Sequence, residues 1–137
     1  MLGQRDDVQI VGDRFVFSSE VLFDSASDAV STAGRQQLDQ LARTLQQIAT
    51  AMPADLPWVL QVDGHTDRRP IATERFPSNW ELSTARALSI VKFLRAAGIP
   101  PQRLAATGYG EFHPLDPASS DAAYARNRRI ELKLTSR

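Results

Sequence analysis

Two short stretches carry side chains whose types and spacing could do chemistry. Gly64-His65-Thr66-Asp67 places an imidazole, a hydroxyl and a carboxylate just after an apolar run, and Ser78 to Ala87 brings Asn79, Ser83 and Arg86. At i, i+4 and i+7 of a helix, Asn79, Ser83 and Arg86 share one stripe over its first two turns. A loop carboxylate, an amide and a hydroxyl near a helix N-terminus, and a guanidinium further along offer both signs of charge. The ligand that suits such a set is a zwitterion: an amino-acid head group whose ammonium Asp67 holds and whose carboxylate Arg86 grips in a bidentate pair, helped by the exposed N–H groups of the helix start. The alternative is an Asp67–Arg86 salt bridge that only pins the loop to the helix.

Other chemistries fit less well. His65-x-Asp67 beside Asp63 resembles half of a metal site, but His113 is the sole other imidazole, and zinc or manganese sites need more ligands than one such pair. No metal or other cofactor is expected. A serine hydrolase needs a base at a defined position and a nucleophile turn such as G-x-S-x-G, and the chain has neither, so no enzymatic activity is expected. Arg126, Arg128 and Arg129 form a basic cluster next to Tyr124, yet the chain holds 16 basic and 16 acidic residues, and zero net charge lacks the footprint of a nucleic-acid binder. Those arginines are expected to face solvent or pair with acids. Trp80 and Tyr109 read as packing or turn residues.

The elements that position these groups follow from periodicity. Val8 to Val11 and Arg14 to Phe17 flank Gly12-Asp13 and read as a hairpin, followed by the apolar piece Val21 to Phe23. Leu38, Leu41, Ala42, Leu45, Ile48 and Ala49 recur at helical spacing, which predicts a helix of about three to four turns with Ser31 or Thr32 as its N-cap. Trp58 to Val62 reads as a strand bounded by Pro57 and Gly64, so His65 and Asp67 fall in the turn beyond it. Ser78 and Glu81 form an S-x-x-E capping box that starts the next helix, which Gly98 and Pro100-Pro101 stop. Leu104 to Thr107 is a short strand leading into Gly108-Tyr109-Gly110, where glycine permits positive φ. A polar loop, a short helical turn from Ala122 to Asn127 and a half-buried strand, with Ile130, Leu132 and Leu134 alternating with Glu131 and Lys133, complete the chain.

Strands alternating with helices predict one α/β domain, a mixed sheet covered by helices on one face. Its 137 residues, 42% hydrophobic, suffice for one core. The absence of cysteine excludes disulfides and thiolate chemistry. No apolar run reaches the roughly 18 residues of a membrane span, and the start lacks the features of a signal peptide. Work in the envelope would therefore require a segment absent from this sequence.

Four motifs in order, V62-D-G-H-T-D67, N79-W-E-L82-S83-T-A-R86-A87, G108-Y-G-E111 with Pro114, and N127-R128-R129, together resemble the OmpA-like peptidoglycan-binding domain. The long segment between the first two motifs, with Arg68-Arg69-Pro70 where the family commonly has a glycine, is most similar to its MotB-like branch. The resemblance implies an α+β sandwich of βαβαβ order spanning residues 17–137, after a lead-in over 1–16. It also implies non-covalent binding of peptidoglycan through the diaminopimelate of the stem peptide. The implied ligand-binding residues are Asp67 and Arg86, with Thr66, Asn79 and Leu82 lining the pocket and Arg128 near it. The implied setting is the periplasm of a Gram-negative bacterium, where the domain anchors a larger envelope protein to the wall. The alternative is a protein-interaction module of the same fold, most simply a homodimer.

Overall fold

A computed structural model of the chain describes residues 8–11, 14–24 and 26–136. Strands β1 (Val8–Val11) and β2 (Arg14–Ser18) pair antiparallel as the hairpin reading requires. Their expected Gly12-Asp13 turn lies outside the described residues. The piece from Val21 to Phe23 belongs to a short helix, α1 (Ser19–Leu22), with Phe23 bridging to Val30. Helix α2 (Thr32–Ala51) begins at Ser31, whose hydroxyl accepts the Gly34 N–H at 2.9 Å. Its 20 residues exceed the three to four turns expected. The first turn is polar, so apolar periodicity alone misses it.

Strand β3 runs from Trp58 to His65 rather than stopping at Val62. Helix α3 (Asn79–Ala96), strand β4 (Leu104–Gly108), helix α4 (Asp121–Asn127) and strand β5 (Arg129–Ser136) follow, with a short 3₁₀ turn at Pro101–Arg103. Helix α3 ends in a Schellman motif: Gly98, at φ 108°, donates to Arg95 and Ile99 to Leu94. The sheet order is β1-β2-β5-β3-β4, in which only the β3–β4 pair, joined through α3, is parallel.

Register sorts the side chains onto two faces. Phe15, Leu132 and Val62 align across β2, β5 and β3, as do Phe17, Ile130 and Gly64. This face carries the core, covered by Leu38, Leu41 and Leu45 of α2 and by Ala87, Ile90 and Leu94 of α3. The mixed sheet with helices on one face is thus the fold expected. The opposite face aligns Val16, Glu131 and Asp63, then Ser18, Arg129 and His65. Alternation assigns these charges to solvent, yet Asp63, Arg129 and Glu131 are at most 3% exposed. The loop after β4 covers them, with Tyr109 stacked on the His65 ring at 5.0 Å. Burial is tolerable because the charges are paired. Glu131 accepts Arg129 Nε and Arg14 Nη1, each at 2.6 Å, and Arg129 Nη2 donates to the His113 carbonyl at 2.8 Å. Arg129 is therefore a buried structural cation, whereas Arg126 is exposed and pairs with Asp116 as a flanking arginine should.

Two glycines set the height of α3 above the sheet. Gly64 and Gly108 are register partners on β3 and β4. A Cβ on Gly64 would stand 2.1 Å from the Ser83 carbonyl oxygen, and one on Gly108 would stand 2.0 Å from Thr84 Oγ1 and 2.6 Å from Thr84 N. At Gly108 the requirement is close approach; positive φ occurs at Gly110, at 63°. The Gly64 neighbour is backbone and cannot rotate away. Gly64→Ala should therefore lower unfolding stability by about 1–3 kcal/mol or more, the usual cost of overpacking, measured as a shift in urea midpoint at unchanged m-value.

Candidate ligand-binding cleft

Because β3 and β4 run parallel, the loops that follow them leave the same end of the sheet, where open α/β sheets commonly bind ligands. Three hydrogen bonds lace those loops to each other and to α3. Thr66 N–H donates to the Gly110 carbonyl at 2.9 Å, Tyr109 N–H to the Gly64 carbonyl at 3.0 Å, and Gly110 N–H to Ser83 Oγ at 2.9 Å. Ser83 thus shares a stripe with Asn79 and Arg86 but serves the turn and not the cleft.

The backbone around Asp67 is held from two sides. Thr66 Oγ1 donates to the Asp67 carbonyl at 2.8 Å, and Asn79 Nδ2 reaches the Arg69 carbonyl at 3.1 Å and Glu111 Oε1 at 3.3 Å. The α3 cap differs in detail from the expected reciprocal box. Ser78 Oγ accepts from Trp80 N–H at 3.2 Å while its own hydroxyl donates to the Glu81 carboxylate. The backbone N–H groups of Thr66 and Leu82 are already bonded, to Gly110 and to Ser78. Those two are not free donors for a ligand, and of the first N–H groups of α3 that of Trp80 is taken by Ser78.

Asp67 and Arg86 do not pair with each other, which removes the salt-bridge alternative. Asp67, 5% exposed, takes Arg128 Nη1 on Oδ2 at 2.6 Å and the Arg69 guanidinium on the same oxygen at 2.8 Å. Burial pushes its carboxyl up, but the donors from Arg69 and Arg128 outweigh burial and hold it below the ordinary 3.8. Arg86 is 7% exposed, lies over the Phe23 ring, and donates Nε to the Ser27 carbonyl at 2.8 Å. Among the described residues it makes no ion pair. Burial and then repulsion from Arg128 lower its proton affinity, with Asp28 partly offsetting them.

Between these groups opens a cleft of about 650 Å³. All six residues singled out from sequence, Thr66, Asp67, Asn79, Leu82, Arg86 and Arg128, line it. Arg128 is tied on its far side to Glu20, and these two carboxylates more than offset the burial that works against its charge. Sequence reasoning missed the wall built from Glu20, Phe23 and Asp24, because short α1 carries no motif and reaches the site only through the fold. It also left the contacts of Arg69 open. Among the described residues, no group of three or more His, Asp or Glu side chains could hold a metal ion.

A small mixed sheet whose parallel pair ends in a cleft with a buried anion and a buried cation defines an α/β domain with a candidate ligand cleft at that end. The chain belongs to the OmpA family, whose family model matches residues 22–128. It is 36% identical over 133 residues to the protein YtxE of Bacillus subtilis (strain 168), covering 96% of this chain and 50% of that protein. Among solved structures it is similar to a MotB-like protein from Desulfovibrio vulgaris, with 33% identity and a TM-score of 0.80, covering 90% of this chain and 73% of that one. It is also similar to the cell wall anchor of the T6SS from Pseudomonas aeruginosa, with 34% identity and a TM-score of 0.78, covering 95% and 87%. The chain spans about half the length of the relatives it matches by sequence. None of the described helices is long and apolar enough to cross a membrane.

His65 is buried on the charged face of the sheet, against Tyr109 and His113. Both ring nitrogens lack a hydrogen-bond partner, and Nε2 stands 3.8 Å from Glu131. Burial first, and Arg129 next, lower its pKa from the ordinary 6.5 to about 4. The unfolded chain takes up this proton first as pH falls, so its contribution to stability is complete above about 6.5 and is lost progressively toward about 4. His65→Phe should flatten the dependence of melting temperature on pH between about 6.5 and 4.5, leaving the slope below that range to the carboxylates.

Proposed function

We propose that this domain binds peptidoglycan non-covalently and anchors a larger envelope protein to the wall. The ligand is the amino-acid end of diaminopimelate in the stem peptide. The observation that carries the reading is Arg86: a buried guanidinium lining the cleft that, among the described residues, pairs with no carboxylate, in a cleft also lined by the buried carboxylate of Asp67. A buried cation without a counter-ion is costly, and an incoming carboxylate removes that cost while gaining a bidentate hydrogen-bonded pair. Asp67 takes the ammonium. Arg128, bonded to both Asp67 and Glu20, lines the same cleft.

The family and its neighbours support the same reading, above all the cell wall anchor from Pseudomonas aeruginosa. Recognition carried by one head group makes single-site affinity modest, and retention on a polymeric wall comes from many sites at high effective concentration. Wall anchoring places the domain in the cell envelope, carried by segments beyond those present here.

Calorimetric titration with a diaminopimelate-containing muropeptide, beside a lysine-containing one, tests the proposal. Saturable binding of the first is expected, with little of the second. Asp67→Ala and Arg86→Ala should each weaken it by about 30-fold or more, since each leaves a buried charge unpaired. Absence of heat with both muropeptides, from protein whose melting curve is normal, overturns the proposal.

A further inference from the structure

Arg69 adds an element that binding alone does not require. Its Nη2 and Nε lie 2.8 Å and 3.1 Å from Asp67 Oδ2, and its backbone N–H lies 2.9 Å from Oδ1. Together with Arg128 these donors engage both carboxylate oxygens of Asp67. The two arginines are held differently. The Arg128 side chain is 22% exposed and clamped between Asp67 and Glu20. The Arg69 side chain is 55% exposed and, among the described residues, forms an ion pair only with Asp67, while its guanidinium lies 5.1 Å from the centroid of the Tyr124 ring. Its backbone is fixed by Asn79 through the Arg69 carbonyl. An exposed side chain on a fixed backbone, beside a Tyr124 ring that Arg68 approaches at 5.8 Å, keeps an aromatic neighbour when its carboxylate is taken.

We propose that Arg69 is a self-supplied competitor for the ammonium subsite: its guanidinium occupies Asp67 in the empty cleft and must give up that carboxylate, retaining Tyr124 as a neighbour, for an amine-bearing ligand to enter. This inference rests on the zwitterion reading of the cleft and specifies how that site is regulated. An exchange of one cation for another on Asp67 leaves charge balanced, so the lost Arg69 contact offsets part of what the ligand's ammonium gains. The device sets a threshold. A ligand that presents only a carboxylate can reach Arg86 without moving Arg69, but it gains nothing from Asp67. A ligand presenting both groups must displace Arg69 and is then held at both ends.

Arg69→Gln separates this role from that of a clamp on the ligand. The substitution removes positive charge from the cleft, which by itself weakens any ligand carrying a carboxylate, so tighter binding can arise only from release of Asp67. The exposed pair has the strength of a surface ion pair, and the variant should bind a diaminopimelate muropeptide about two- to fivefold more tightly than the unaltered protein. With the same muropeptide acetylated on that amine, no gain should appear. Equal or weaker binding by Arg69→Gln, when the unaltered protein binds, overturns the gate and leaves the wall-binding proposal standing. Failure of both proteins to bind overturns both. A gain that persists with the acetylated ligand also overturns the gate, because no ammonium is then exchanged. Arg69 is exposed and its pair has the strength of a surface ion pair, so the variant should melt within a few degrees of the unaltered protein.

Discussion

The contact on which the site depends is the close approach of α3 to the bare backbone of Gly64 and Gly108. It fixes the helix directly over the ends of the two parallel strands, so the loop that carries Asp67 and the helix that carries Asn79 and Arg86 meet at one place. Ser83 converts the approach into a lock, since the residue whose carbonyl rests on Gly64 also holds the Gly110 N–H. Any side chain at Gly64 lifts the helix and separates the charges of the cleft. Close packing of backbone on backbone is how this fold turns a parallel strand pair into a defined pair of charges.

Two buried arginines have opposite surroundings. Arg129 is enclosed by Glu131 and by the carbonyls of His113 and Asn127, so its charge is satisfied within the protein. Arg86 has one carbonyl and an aromatic face, and opens on the cleft. Both are desolvated, and among the described residues only Arg129 has a bonded counter-ion. The motif Asn127-Arg128-Arg129 divides the same labour among neighbours. Asn127 braces the loop through the Asp116 backbone, Arg128 turns to Asp67, and Arg129 turns to the charged face of the sheet. Adjacent residues of similar chemistry thus act on different surfaces because side chains alternate about an extended backbone.

Much of this was legible from residue patterns. The apolar spacing of Leu38 to Leu45 and of Ala87 to Leu94, the stop at Gly98 and the alternation in β5 specify the layers, and the ordered motifs bring all six candidate residues to one cleft. What escaped the patterns has physical causes. Glu131 and Arg129 satisfy each other across the sheet surface, and alternation alone cannot distinguish a paired buried charge from a solvated one. Gly64 reads as a strand terminus because glycine usually is one, whereas here it stays in the ladder so that a helix can rest on it. The partners of Asp67 depended on rotamers of Arg69 and Arg128, about which spacing says nothing.

The most direct test is a crystal structure of the domain with diaminopimelate or its muropeptide bound. The account predicts the amino-acid carboxylate on the Arg86 guanidinium, the ammonium on Asp67, and Arg69 withdrawn from that carboxylate. A ligand seated elsewhere, or one in the cleft that leaves Arg86 without an anion, would contradict it.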